Sequence, residues 1–528
     1  MIQTGDRAAL THARAALGHR GGDRSASETV YLLYTVSLGV LIAGVPTIRT
    51  LVLSLSEPAV VAALTAPEAT NVISTGALLL LLVAVLAGGV RGAIVPRPAY
   101  VHVFVGSPLA RGVVLRRPFL AAQALTTLLL VSMAGIVCGA LAVAGHPLAV
   151  GAVALFLAGA AGYSVVLSTV WLIGQLGSRI RALVAWSLAF LLLVSIVLQL
   201  GGMKAQLWAG PWGWLATAWS GVVADASVSV SVSGPTYSVI AALLCTATIG
   251  LAPFAHMLLT HVRAADLMTQ SQAWASATVM AQSGDVRGSS DRVRMPPRHR
   301  PRAAKLQTGP LWIGVVRRDL IGILRHPVRA GAGILSGVMA GILMVVALSM
   351  EPSAGAIVAA TAGGLMYSAA GSWTDGLRYH ADNVGAQPLY GVGTEQLAAL
   401  HAIVPTWVSC VVILLGATMA SNGGTIDAFV CAAAIALALL VVTLRALSAG
   451  KGPLPIGLLL PVPTPAGDVS ILNALIWVFD GFLLSLVVTA TLTGIALTSP
   501  VPLTLFCTLV ALLLIGVWAR ARFRRLRL

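Results

Sequence analysis

Twelve apolar stretches, each about as long as a bilayer is thick, divide this chain, and nearly all of its positive charge falls in every second gap between them. They run over about 30–48, 72–94, 118–143, 148–175, 181–201 and 236–260, then 331–350, 355–373, 398–419, 426–444, 472–495 and 500–519. Roughly 20 apolar residues cross a membrane as a helix. Backbone groups in lipid must be paired within the segment, and these runs are too long for barrel strands, so the spans are helices. Only 9% of the residues are charged, against about a quarter in a soluble domain. The chain therefore reads as an all-α polytopic membrane protein of about 12 transmembrane helices.

Charge orients it. With the N-terminus inside, only Arg49 and Lys204 of the 33 Lys and Arg fall outside, while Glu57, Glu68, Asp225, Glu351 and Asp427 do. Cytoplasmic loops are the Lys- and Arg-rich ones, so both termini are expected in the cytoplasm, with the chain multi-pass in the cell (plasma) membrane. The same loops explain the formal net charge of +16 without nucleic acid. The first 29 residues hold arginines and no apolar core, so the first span is expected to direct insertion itself.

The spans group six and six. Residues 1–262 form a first six-helix half, 263–310 a basic cytoplasmic linker, and 311–528 a second half. In the linker, proline, glycine and the run from Arg292 to Lys305 argue against a packed domain. The run suits anionic lipid headgroups or a cytoplasmic partner. Each half has a basic lead-in, a helical hairpin, then a sizeable inner loop carrying Pro-Leu: Pro108–Leu109 and Pro388–Leu389. A helix-like stretch leads from each into the third span. Paired six-helix halves are common in transporters.

Soluble chemistry is poorly provided for. There is no G-x-x-x-x-G-K-[ST] phosphate loop, no H-E-x-x-H, no G-x-S-x-G and no spaced Cys/His cluster, so no catalytic residue and no metal ligand is assigned. The five cysteines lie in apolar runs, with no metal or redox spacing. Asp480, within Trp477–Phe482, is the plain intramembrane acid. Such a group is costly and suggests either a pathway role or a partner on a neighbouring helix. Between spans five and six, Trp208, Trp212 and Trp214 sit among prolines and glycines. Tryptophan favours the membrane interface, so the segment is an anchoring or re-entrant helix, or an outer aromatic surface. The loop from Ser372 to Leu397 mixes Asp375, Arg378, Asp382 and Glu395. The positive-inside bias does not require acids there, which favours a contact surface.

Three pieces carry a family resemblance: R-R-D-L-x-x-x-L-R-H-P at 317–327, S-P-L-x-R-x-x-x-L-R-R-P at 107–118, and G-L-R-Y-H-A-D-N…P-L…L-A-A-L-H-A-I-V-P at 376–405. In these the chain resembles permease subunits of ABC-type exporters of export class two, in their actinobacterial form. The resemblance implies that each half walls one side of a pathway and that loops after the second span couple to separate ATPase subunits. It makes Pro108, Leu109, Arg111, Arg116 and Arg117, and Pro388, Leu389 and Glu395, the coupling segments. It sets Arg317, Arg318, Asp319 and Arg325 on a connecting helix. It implies two copies of a cytoplasmic ATPase, which would hold ATP and Mg, leaving this chain without cofactor and non-enzymatic, with membrane lipids as its other partners. The outer loop at Ser499–Pro500 is too short for the re-entrant helix of the family, whereas 202–235 is long enough. A proton-coupled secondary transporter would need a chain of buried acids. A membrane-embedded glycosyl or lipid transferase would need outer acids such as Glu57 and Glu68, which stand in turn-like contexts. A membrane scaffold without transport is the third alternative.

Overall fold

A computed structural model describes residues 11, 26–67, 69–200, 210–224, 250–251, 253–282, 288–289, 292, 310–384, 391–420, 427–452, 454–460, 463–464, 467–468 and 470–526. These are helical throughout, apart from turns, connecting coil and one two-residue antiparallel pair, Pro463–Thr464 with Gly467–Asp468. Among the described residues, ten helices are long and apolar enough to cross a membrane. The fifth expected span is the helix Ser178–Leu200, which carries no charge after Arg181. The sixth, 236–260, lies largely outside the described residues. The chain divides into two compact units, 1–279 with 289–294, and 280–288 with 295–528.

In the first unit, α1 (Ala26–Gly39) continues through a π turn, Val40–Gly44, into α2 (Val45–Leu55). Arg49 is thus on a helix that ends at Leu55, about two turns further than its apolar run suggests. A short α3 (Pro58–Thr65) leads into α4 (Ala69–Ala87). Next come α5 (Arg111–Val143), α6 (Val150–Gln175), α7 (Ser178–Leu200), α8 (Pro211–Val223) and α9 (Ala264–Gln282). Helix α5 stops where the sequence makes it stop. Gly145, at φ 80°, lets His146 N–H reach Leu141 O (3.0 Å) and its own N–H reach Ala142 O (3.1 Å), a left-handed cap that satisfies the last carbonyls. Helices α5 and α6 share hydroxyl pairs, Thr126–Ser168 at 2.8 Å and Thr127–Ser164 at 2.5 Å, polar contacts of the kind that join helices where lipid offers no alternative partner. Leu125, Leu128, Leu129 and Met133 of α5 stay exposed, an apolar face suited to lipid.

The second unit contains α10 (Leu311–Arg325), α11 (Pro327–Leu348), α12 (Pro352–Ala370), α13 (Asp375–Asp382), α14 (Thr394–Ala420), α15 (Ala428–Ala449), α16 (Ser470–Thr498) and α17 (Val501–Arg525). Its core lies among α11, α12, α14 and α15, around Met366, Ile413, Leu437, Val441 and Leu444. Backbone contact holds α11 to α14. A Cβ on Gly341 would collide with Ile413 O, and one on Gly416 with Val338 O. Gly333, Gly337 and Gly341 repeat every four residues, and each faces a close neighbour, so small residues let the helices approach.

The start of the expected linker is helical. Helix α9 occupies 264–282, inside the stretch read as unpacked, and it is fastened to the segment after α4. Gln270 donates to Gly88 O (3.3 Å), Ser271 to Pro96 O (2.5 Å) and Trp274 to Val90 O (3.1 Å). Apolar and amide residues spaced along the helix do the packing, which a reading of charge and proline overlooks. Of the basic run itself, Arg292 alone is described.

Candidate functional site

The loop between the second and third spans of the first unit is built from its proline. Helix α5 starts at Arg111, seven residues before Pro118, where the apolar run had placed the span's beginning. Pro118 has no N–H, so Val114 O loses its helical partner. The hydroxyl of Tyr100 takes that carbonyl at 2.9 Å and ties the loop's short helix, Pro98–Tyr100, to α5. At 1.5 Å per residue the 33-residue α5 is about 50 Å long, about 20 Å more than the hydrocarbon needs. Its first turns are thus long enough to stand clear of lipid. Arg116 and Arg117 are exposed there, as is Pro108, while Leu109 is half-buried against the apolar cluster beneath. Arg111 also meets its own chain, donating to Val262 O at 3.3 Å, next to the end of a helix whose carbonyls attract a cation.

Behind this loop, residues 88–97 are held by a buried amide. Gln175, the last residue of α6, accepts from Ile94 N–H (3.2 Å) and donates to Ile94 O (2.7 Å) and to Gln270 Oε1 (2.9 Å). Arg91, Arg97, Arg111, Arg116, Arg117, Arg179, Arg181 and Arg263 gather at this end with Asp266. Among the described residues, the connections at the opposite end contain no Lys or Arg.

In the second unit the corresponding loop is α13 and the start of α14. Pro388 and Leu389 lie outside the described residues. Glu395, in the first turn of α14, pairs with Arg524 (2.7 Å) and Arg520 (2.6 Å) at the end of α17, so it engages this chain's own last helix. The expected connecting helix is α10. Arg318 is exposed with its guanidinium 4.4 Å over the Tyr379 ring, Arg317 is half-buried, and Arg325 is exposed in the last turn. Asp319 is buried and accepts from the equally buried His401 Nδ1 at 2.8 Å. Gly376 of α13 lies against both; a Cβ there would sit 2.5 Å from Asp319 Oδ1 and 2.6 Å from His401 Nδ1. His380 stacks between His401 and Phe523, ring centroids 6.0 Å from each, with Nε2 on Thr394 O at 2.8 Å. Burial pushes the His380 imidazole below the usual histidine range; the Thr394 bond pulls the other way, and charge on His401 adds to the lowering. Four elements, α10, α13, α14 and α17, therefore meet at one buried Asp–His–His cluster. His401 was missed in the sequence because it stands in an apolar run.

Asp480 is neutralised by its neighbours. It lies about 15 Å into α16. Lys451 Nζ is at 2.8 Å and Arg522 Nη1 at 3.0 Å. Lys451 also donates to Trp477 O (2.6 Å) and Val478 O (2.9 Å), and Arg522 to Leu447 O (3.2 Å). Asp480 thus has one partner on a neighbouring helix, Arg522 of α17, and one in the turn after α15, Lys451. Nearby, Arg329 chelates Asp375 (2.5 and 3.0 Å) and reaches Gly371 O. Arg445 holds Tyr367 O and lies 3.7 Å over its ring.

The tryptophan segment is partly described. Trp208 lies outside the described residues; Trp212 is buried and Trp214 half-buried on α8. The 13-residue α8 packs against α4 and α6, and Trp219 donates to Leu64 O at 3.2 Å. It is a tucked-in helix more than an exposed aromatic surface. No group of three His, Cys, Asp or Glu among the described residues could hold a metal ion.

These features define a multi-pass, all-helical membrane protein whose ionisable groups collect at helix ends. In comparisons with known proteins, no family model and no curated protein matches the chain.

Proposed function

We propose that this chain is the transmembrane permease subunit of an ATP-binding-cassette exporter, forming the pathway and coupling to separate cytoplasmic ATPases. The observation that carries the reading is the loop ahead of α5. It is braced from behind by Gln175, α9 and the Tyr100–Val114 bond, and it presents Pro108, Arg116 and Arg117 outward. A rigidly backed, solvent-facing basic corner can transmit a push from a docked partner to a spanning helix. In the second unit, the Asp319–His401 contact links α10 to the base of the corresponding loop. Concentration of arginine at this end supports a cytoplasmic location for it. The pairing of Asp480 with two cations leaves a proton-coupled carrier without its most plausible acid. The apolar interior suits a lipid-like or amphipathic cargo.

The test is purification of the tagged chain in mild detergent from its host, with mass spectrometry of co-purifying proteins and an ATPase assay. A stoichiometric ATP-binding protein is expected, lost or much reduced in the R116E/R117E variant. Arg111 is left unchanged because it contacts Val262. A chain that purifies alone, with no ATPase activity, would overturn the reading.

A further inference from the structure

The last turn of α13 rests in a small seat of its own. Leu377 and Ala381 pack with Val384, Ala449 and Phe523, a satellite of the unit's main core. The start of the helix is fastened separately: Trp373 Nε1 donates to Ser409 Oγ at 3.1 Å, and Asp375 pairs with Arg329. A helix of eight residues is too short to hold itself together in water, so the last turn stays in place only while its seat does.

His380 closes that seat. Its Nε2 bonds to Thr394 O, and a carbonyl only accepts, so the neutral ring carries its proton on Nε2. The open lone pair is on Nδ1, which has no hydrogen-bond partner among the described residues; the residue is 6% exposed, so a proton can still reach it. A cation formed there meets no available acid. Asp319 of α10 already accepts from His401 Nδ1, and the His401 ring of α14 stacks on one side of His380. Glu395, next to Thr394 on α14, is held by Arg520 and Arg524 of α17, whose Phe523 stacks on the other side. Arg522 of α17 and Lys451 after α15 are engaged with Asp480, Arg445 of α15 with Tyr367 O, and Arg318 of α10 with the Tyr379 ring. On α13 itself, Arg378 and Asp382 stand two positions from His380, a spacing that puts side chains on different faces. Charge on His380 would thus face His401, apolar carbons and more arginines than acids.

We propose that α13 is a proton-released latch: a proton on His380 Nδ1 unseats its last turn from α14 and α17 while the spanning helices of the unit stay folded. The charged ring gives up Thr394 O and the Phe523 stack for water, and losing the proton reseats it. The proposal needs only the fold of the second unit and is independent of the exporter reading.

The test is amide hydrogen exchange of the full chain in detergent at about pH 7.5 and about pH 5.5, with rates corrected for the intrinsic effect of pH. Amides of 377–384 should lose about tenfold in protection at the lower pH, the preference of the unseated state for a proton one unit below the ordinary histidine pKa. Those of α11 and α12 should keep theirs. In H380Q, whose amide can donate to Thr394 O and does not titrate there, 377–384 should be equally protected at both values. Exchange of the His380 ring C2 hydrogen in the unchanged protein gives its titration midpoint without any variant, and that midpoint should lie below about 6.5. Undiminished protection of 377–384 at the lower pH would overturn the proposal. So would a loss that persists in H380Q, a loss shared equally by α11 and α12, or a ring midpoint at or above the ordinary value.

Discussion

Asp480 can be read two ways from sequence, and its surroundings give it two cationic partners. An acid within an apolar run is expensive whatever its role. Here Lys451 and Arg522 flank it, each with carbonyl acceptors besides. Removing one partner of a buried ion pair leaves uncompensated charge. Asp480→Asn should therefore lower stability by about 3 kcal/mol, as measured by denaturation in detergent. Lys451→Met should cost less, because Arg522 still holds the carboxylate. A pathway acid would behave differently, with Asn leaving the fold intact and abolishing transport. His380 sets a pH dependence. Its folded pKa lies below the unfolded value, so between the two the unfolded chain binds more protons. Its contribution is thus intact above about pH 6.5 and is lost as pH falls toward the depressed folded value. Melting temperature should drop across that window, and His380→Gln, which cannot titrate there but can still donate to Thr394 O, should flatten the drop.

Elements are shaped by where backbone groups find partners. Pro118 stands inside α5, and the carbonyl it orphans is used to tether the preceding loop through Tyr100. Tyr100→Phe removes that donor with little change in shape. It should cost about 1–2 kcal/mol and raise hydrogen exchange over 98–110. Proline position and a helix-like lead into the third span were plain in the sequence; that this lead and the span form one continuous α5 through Pro118 was not, because the arginines of its first turns fall outside any count of apolar residues. The glycines of α11 and α14 tell a similar story. With Val338 O against Gly416, Gly416→Ala should destabilise by about 1–3 kcal/mol, read as a lower melting temperature. Glycine spacing alone does not say which helix will press on it. Helix α9 was masked by its polar neighbours, since its attachment relies on Gln270, Ser271 and Trp274 finding backbone acceptors far away in sequence.

At the scale of the whole molecule, each unit concentrates its basic residues at one end of its helices, but acids are divided unequally. In the first unit that end has Asp266 beside eight arginines; in the second, Asp319, Asp375, Glu395 and Asp480 each meet a basic partner. The sequence expectation of a shared side can be tested by labelling. Single cysteines at Pro108 and Gly391 should resist a membrane-impermeant maleimide in intact cells and react after permeabilisation, while one at Ser56 should react from outside. Outside labelling of either loop position would reverse the topology.

The sequence by itself determined what the solvent requires. Long apolar runs must be helices in lipid, basic loops must alternate with acidic ones, and prolines and glycines must begin or end many of the helices. Those are local rules, satisfied within a few turns of chain. Tertiary structure alone decided the pairings: His401 with Asp319 across 82 positions, Lys451 and Arg522 with Asp480, Gln175 with Ile94 and Gln270. A buried charge or amide states that it needs a partner, and only the packing of distant helices says which one it finds.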